Sequence, residues 1–359
     1  MAELLLSNLS HSYPGAGAPT LSGLNLRVAS GEAHALLGSS GAGKSTLLNL
    51  LSGLLPASPG QLLLGGQDLA DQPPSSRGVA QVFQFPVLYE AMSVLGNLAF
   101  PLRVMGMSRR DCRARARQMA EQLEIDHLLE RRPTRLGLFE KQLVAIGKAL
   151  VRPDLSLVLL DEPLTAAEPA RKWRLRHTLK SLQRESGATM IYVTHDQTEA
   201  LTFADRISVM HEGGILQTGS PEQLINAPTH EHVGYFVGTP GMNFLDARIE
   251  SDVCLVGDVP FGSLVVSPGV CRIGFRPEWA KLAGAPAQTH SGSDWIIAAD
   301  VISQRVLGTH RGVPFGLVDA TVAGARIVTR QPLDEVPSGR AQLHLDTVRA
   351  FRQGWVVDA

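Results

Sequence analysis

The chain has only three cysteines in 359 residues, Cys112, Cys254 and Cys271, scattered without metal-ligand spacing. Their expected state is the reduced thiol of a cytosolic chain. Aromatic residues are 5% and the formal net charge is −1, so the global basicity that attracts nucleic acid is missing. Nowhere do about 20 apolar residues run together, the length a bilayer-spanning helix needs. Any membrane role is therefore expected to run through a partner. No N-terminal run has the charged and apolar regions of a leader, and none is expected. What remains is 44% hydrophobic, ample for a core, at a length that predicts about two domains.

Against that background one pattern is complete. Gly38-Ser39-Ser40-Gly41-Ala42-Gly43-Lys44-Ser45 fits G-x-x-x-x-G-K-[ST] at every fixed position. The apolar run Ala33 to Leu37 before it reads as a buried strand. Thr46 to Leu54 after it carries leucines on one face of a helix, with Pro56, Pro59 and Gly60 expected to stop it. Glycines let backbone N–H groups surround phosphate oxygens, Lys44 reaches the outer phosphates, and the Ser45 hydroxyl can ligate Mg²⁺. The helix N-terminus adds a positive dipole end.

Two further apolar runs end in chemistry. Leu155 to Leu160 leads into Asp161-Glu162-Pro163, and Met190 to Val193 leads into Thr194-His195-Asp196. An aspartate at a strand end beside a phosphate loop can hold Mg²⁺ through water, and an adjacent glutamate can polarise an attacking water. The plainer alternative is an N-cap pair on the next helix. His195 occupies the same kind of strand-end position as Asp161 and is expected to reach a γ-phosphate.

At this point the chain resembles the ATP-binding cassette (ABC) ATPases. The resemblance implies an α/β P-loop NTPase fold with a helical subdomain at about 85–150, within a nucleotide-binding domain at 1–237. It implies ATP and Mg²⁺, with Ser45, Gln84 and Asp161 on the metal. It also implies Tyr13 and Gly38 to Thr46 on the nucleotide, Glu162 as general base and His195 at the γ-phosphate. The family's L-S-G-G-Q signature is altered here. Gly137 stands for the serine, Leu138 and Phe139 for the glycines and Glu140 for the glutamine, while Val144 to Leu150 keeps the helix pattern. The expectation is a lost hydroxyl donor, two bulky groups where backbone should approach closely, and a negative charge near an anion site. Losing such a contact commonly costs about 1.5–3 kcal/mol. Thr165-Ala166-Ala167-Glu168 likewise replaces the usual S-A-L-D.

In the family's head-to-tail dimer one chain's signature completes the other's site. An intact cis set with a poor signature points to a heterodimer with a second, different ATPase subunit. The alternative is a drifted signature that still works through its backbone N–H groups.

Nine arginines between Arg103 and Arg135 crowd the helical segment. A nucleic-acid or lipid surface is one reading. The better one is a solvated face, because Cys112, Ala116, Met119, Ala120 and Leu123 mark the apolar side of a helix capped by Ser108. Phe85, Leu88, Tyr89 and Met92 are candidates for a groove that receives a permease helix, or for core.

From 238 to 359 short strand-like runs alternate with glycine turns, as at Ser263–Val266, Ile296–Ala298 and Ala325–Val328. This reads as a small β-barrel. Gly274-Phe275-Arg276-Pro277-Glu278 resembles the G-x-R-P-E segment of the oligonucleotide-fold-like regulatory domain in carbohydrate-importer ATPases. The run His195 to Asp205, with Gly241-Met242-Asn243-Phe244 and the F-E-K-Q signature variant, is similar to the ATPases of bacterial glycerol importers.

The resemblance therefore implies an ATPase energising a polyol or sugar importer, glycerol leading, on the cytoplasmic face of a bacterial inner membrane. It would partner transmembrane permease subunits and, indirectly, a substrate-binding protein, but no nucleic acid. A homodimeric importer ATPase for another sugar or glycerol 3-phosphate, and a non-hydrolysing regulatory subunit, are the alternatives.

Overall fold

The computed structural model describes residues 2–165, 167–284, 295–310 and 313–357; Ala166 lies outside them. The chain divides into two units, 1–221 and 222–359.

The first unit opens with β1 (Leu4–His11), β2 (Leu21–Val28), β3 (Ala33–Leu37) and α1 (Lys44–Ser52). Then come β4 (Leu62–Leu64), β5 (Gln67–Asp68), β6 (Val79–Val82), α2 (Val94–Val104), α3 (Arg109–Gln122) and α4 (Leu138–Leu150). It continues through β7 (Leu157–Asp161), α5 (Pro169–Ser186), β8 (Thr189–Thr194), α6 (Gln197–Phe203), β9 (Arg206–His211) and β10 (Gly214–Gly219). Six strands form the main sheet in the order β10-β9-β3-β8-β7-β6, and a four-stranded antiparallel sheet runs β2-β1-β4-β5. In the main sheet only β10 is antiparallel to its neighbour.

All residues of β3 and β8 are buried, which is why these strands read as unbroken apolar runs and not as alternations. In a parallel sheet covered on both faces, the loops at the carboxyl ends are the free positions for function. Helix α1 starts two residues earlier than its leucines suggest. It ends at Gly53, whose left-handed φ of 85° stops it before the prolines are reached.

Helix α3 is capped by the Ser108 side chain, which accepts from the Asp111 N–H. Cys112, Ala116, Met119 and Ala120 are its buried face, and Arg109, Arg110, Arg113, Arg115 and Arg117 are exposed. Phe85 is 72% exposed and Tyr89 is also outward, whereas Leu88 and Met92 are half-buried. Among the described residues no helix is long and apolar enough to cross a membrane.

The second unit contains α7 (Pro221–Asn226) and α8 (Glu231–Phe236), followed by β11 (Asn243–Glu250), β12 (Val253–Val256), β13 (Val259–Ser263) and β14 (Gly269–Phe275). After these come β15 (Ala280–Ala283), β16 (Trp295–His310), β17 (Val313–Val322), β18 (Ala325–Pro332), β19 (Arg340–Leu345), β20 (Arg349–Arg352) and β21 (Trp355–Val356). The strands pair as β13-β12-β11-β14-β20-β21 and β15-β19-β16-β17-β18, two antiparallel sheets around one core that includes Leu245, Phe261, Ile273, Phe275, Val318 and Leu343. The run Ser263–Val266 is not a strand: β13 stops at Ser263 and Val265 faces outward.

Arg276, from the G-x-R-P-E run, is 1% exposed. Its guanidinium donates to the carbonyls of Leu224 and Ile225 near the end of α7 and of Gly234 and Val237 near the end of α8. Helix C-termini present unpaired carbonyls and a partial negative charge, so one buried cation satisfies two of them together. Burial lowers the Arg276 pKa to about 10, with the charge of Glu278 opposing the shift.

Candidate functional site

The carboxyl ends of β3, β8, β7 and β6 lie side by side, and each delivers one of the candidate residues. The glycine-rich loop leaves β3, His195 follows β8, Asp161 ends β7 with Glu162 next, and Gln84 follows β6.

The loop is wound tightly. Gly43 caps α1 at φ 97°, and a Cβ there would sit 2.6 Å from Leu21 Cδ2; a Cβ on Gly38 would sit 2.5 Å from the Met210 carbonyl oxygen. Lys44 is buried, and its ammonium donates to the carbonyls of Gly38 and Ser39, both at 2.8 Å. Burial lowers its pKa, while the charges of Glu162 and Asp161 hold it up. Ser45 hydrogen-bonds the Asp161 carboxylate. Burial pushes Asp161 above the usual carboxylate range; the Ser45 hydrogen bond opposes this, the Glu162 charge adds to it and Lys44 opposes it. The Tyr13 hydroxyl lies 3.3 Å from Thr46 Oγ1, which places its exposed ring beside the start of α1. Ser39, Ser40, Gly41 and Ala42 complete the loop between β3 and α1.

Glu162 is the meeting point. His195 Nδ1 lies 2.9 Å from its Oε1, Gln84 Nε2 donates to its Oε2 at 3.4 Å, and the Thr165 hydroxyl approaches Oε2 at 3.3 Å. The Glu162 N–H donates to Val193 O on β8 at 3.0 Å. Its φ is +43°, a left-handed value that costs a residue with a Cβ some strain and is commonly held where function demands it. Asp161 and Glu162 are not an N-cap pair, because the next helix, α5, begins at Pro169 with Glu168 at its cap. Asp161, Glu162, His195, Gln84, Lys44 and Ser45 are thus assembled in one place from four strands.

The altered signature is organised differently from its expectation. Gly137 caps α4, and its N–H donates to Glu140 Oε2 at 2.8 Å. The Glu140 charge is therefore turned back onto its own helix N-terminus, as in half of a capping box. Leu138 is 53% exposed. Phe139 lies under the Arg171 guanidinium, 5.6 Å from the ring centroid, and Arg171 Nε lies 3.9 Å from Glu168 Oε2. Among the described residues no hydrogen bond joins Gly137, Leu138, Phe139 or Glu140 to Glu162; Phe139 and Glu140 instead line a groove with Leu128, Arg174 and Leu175.

Three supporting residues have no motif to announce them. Buried Arg77 donates to the carbonyls of Leu50 and Leu51 at the end of α1, at 2.8 and 3.1 Å. Buried Gln142 donates to Phe83 O at 3.1 Å, tying α4 to the segment that carries Gln84. Buried Glu199 accepts from Tyr192, Thr194 and Lys172, all at 2.9 Å, and so braces the strand end before His195. The run of apolar residues ending in Thr-His-Asp, with an acid four residues after the histidine, is a signal that could have found Glu199.

A family profile described as ABC transporter matches residues 21–165. The trehalose import ATP-binding protein SugC of Mycobacterium tuberculosis is 40% identical over 271 residues, covering 75% of this chain and 67% of that protein. The sn-glycerol-3-phosphate import ATP-binding protein UgpC of Chromobacterium violaceum is 33% identical over 357 residues, covering 98% and 93%. A solved dimer of the ATP-binding cassette MJ0796, in a post-hydrolysis state bound to ADP and Pi, superposes with a TM-score of 0.56 at 26% identity, over 61% of this chain and 98% of that one. The chain belongs to the ABC transporter family of ATPases and is similar to import ATP-binding proteins, over 98% of its length to one for sn-glycerol 3-phosphate and over 75% to one for trehalose.

Proposed function

We propose that this chain is the ATP-hydrolysing subunit of a bacterial importer for a polyol or sugar, glycerol leading, and one half of an ATPase heterodimer. The observation that carries the reading is the contrast within one chain. Glu162 is engaged by His195 at 2.9 Å beside a well-formed phosphate loop, while α4 starts on Gly137, which has no hydroxyl to offer a partner's nucleotide.

The residues divide the work as follows. Gly38 to Thr46 surround the phosphates with backbone N–H groups, and the exposed ring of Tyr13 receives the adenine. Ser45, Gln84 and Asp161 offer a hydroxyl, an amide oxygen and a carboxylate, the hard oxygen donors that suit Mg²⁺. The raised pKa of Asp161 fits a site that holds a cation when loaded. When bound, Mg²⁺ neutralises charge on the β- and γ-phosphates. Glu162 accepts the proton of the attacking water, and His195 orients Glu162 and reaches the γ-phosphate. Gly137, Leu138, Phe139 and Glu140 face the nucleotide of the second ATPase subunit.

The exposed Phe85 and Tyr89 suit a permease helix, so the chain works as a peripheral subunit on the cytoplasmic face, with a substrate-binding protein delivering cargo. The β-rich segment at 238–359 acts as the regulatory domain. Reconstituting the complete transporter and following uptake of radiolabelled glycerol tests this reading. ATP-dependent glycerol uptake that stops with Glu162→Gln is expected; uptake of another sugar or of glycerol 3-phosphate in its place overturns the cargo.

A further inference from the structure

A second cluster of cations lies away from the Glu162 site, where α5 packs on α6 and on the turn into β9. A cavity of about 340 Å³ is lined there by Trp173, Arg176, His177, Lys180, Arg184 and Asp205, among others. Arg176 is only 9% exposed. Among the described residues no hydrogen bond or ion pair engages its guanidinium, although it lines the cavity. A buried cation is ordinarily paired, so an Arg left open to a cavity marks a place for an anion.

The neighbouring acids are already committed. Asp205 takes Lys180 at 2.7 Å and the Ala33 N–H at 2.9 Å. Glu199 on α6 takes Tyr192, Thr194 and Lys172. Arg176 and the exposed Arg184 remain, both lining one cavity. The planar guanidinium fork matches a phosphate, whose oxygens accept two parallel bonds from it. Trp173 is 66% exposed, with one face stacked on His177 at 6.0 Å and 6°. Its ring offers an apolar wall to the organic part of a ligand.

We propose that this cavity is a binding site for a small phosphate monoester, with its phosphate held by Arg176 and Arg184 and its organic part against Trp173. Helix α5 begins at Pro169, with Glu168 at its cap, and α6 begins two residues after His195. A ligand braced between the two helices is therefore placed to alter ATP turnover without touching Glu162. That consequence rests on the role proposed above for His195; the binding itself does not.

The test is calorimetric titration of the whole chain, saturated with ADP and Mg²⁺ so that the phosphate loop is filled, with glycerol 3-phosphate and with inorganic phosphate. The chain is expected to bind both, the ester more tightly. Arg176→Met should weaken both by about tenfold or more, the loss of a charged hydrogen-bond pair. Because Arg176 is buried, Arg184→Ala, at an exposed position, serves as the variant that keeps the fold; it should weaken both several-fold with unchanged circular dichroism. Trp173→Ala should weaken the ester and leave inorganic phosphate unchanged. Sedimentation with vesicles of phosphatidylglycerol separates a free ester from a lipid headgroup: no Arg184-dependent pelleting is expected. Absence of binding in the unaltered chain, identical binding in Arg184→Ala, or Arg184-dependent pelleting overturns the proposal.

Discussion

The Gly137 N–H donates to Glu140 Oε2 at 2.8 Å, closing the end of α4 from within the altered signature. A free helix N-terminus is a ready anion site. Here a carboxylate of the same helix takes up one of its N–H groups, and Phe139 folds against Arg171 instead of leaving bare backbone. The departures therefore form a coherent local structure. In the proposed dimer they would weaken the site of the opposite subunit and leave this chain's own site untouched.

Restoring the signature should reverse that asymmetry. A variant carrying Gly137→Ser, Leu138→Gly, Phe139→Gly and Glu140→Gln is expected to raise the ATPase rate of this chain as a homodimer by about tenfold or more, the worth of a regained charged hydrogen bond. Steady-state phosphate release measures it; an unchanged rate means that the signature is not what limits the homodimer.

Glu162→Gln in the assembled transporter should keep ATP binding and lower hydrolysis by about a hundredfold or more, the usual contribution of a general base. Turnover that survives the change removes Glu162 from that role.

Asp161 carries a stability cost that nucleotide-free chains should reveal. The fold raises its pKa, so its contribution is most favourable below the usual carboxylate range and is lost as pH rises through the raised value. Asp161→Asn should therefore stabilise the empty chain at neutral pH by about 1 kcal/mol while lowering hydrolysis. Thermal melts of both proteins at pH 4 and pH 7 check it: the gap should be larger at pH 7, and a gap that shrinks as pH rises contradicts the sign.

Arg276→Met should destabilise the second unit by about 3 kcal/mol or more, since it removes a buried guanidinium that serves four carbonyls and leaves them unsatisfied. Urea unfolding followed through the tryptophans of that unit, Trp279, Trp295 and Trp355, reads the loss.

Much of the first unit was legible because its function sits on local patterns. Strand, glycine loop and helix are contiguous around Lys44, and Asp161, Glu162 and His195 each end an apolar run, so their strands announce them. What was not legible depends on partners distant in the chain. Glu140 reads as a stray charge until its carboxylate is seen on Gly137, and Phe139 reads as a steric fault until Arg171, 32 positions later, is seen above it. The G-x-R-P-E run was visible, yet nothing local shows that Arg276 closes two helices about 40 to 50 residues upstream. Ser263–Val266 misled because β-branched residues also occur just past a strand end, where Val265 points to solvent.

The most direct test of the unequal pair is the ATPase rate per chain, measured for this protein alone and mixed with the second ATPase subunit of its transporter. The mixture is expected to exceed the sum of the separate rates, because an intact signature then completes the Glu162 site. Equal activity per chain, alone and mixed, would contradict it.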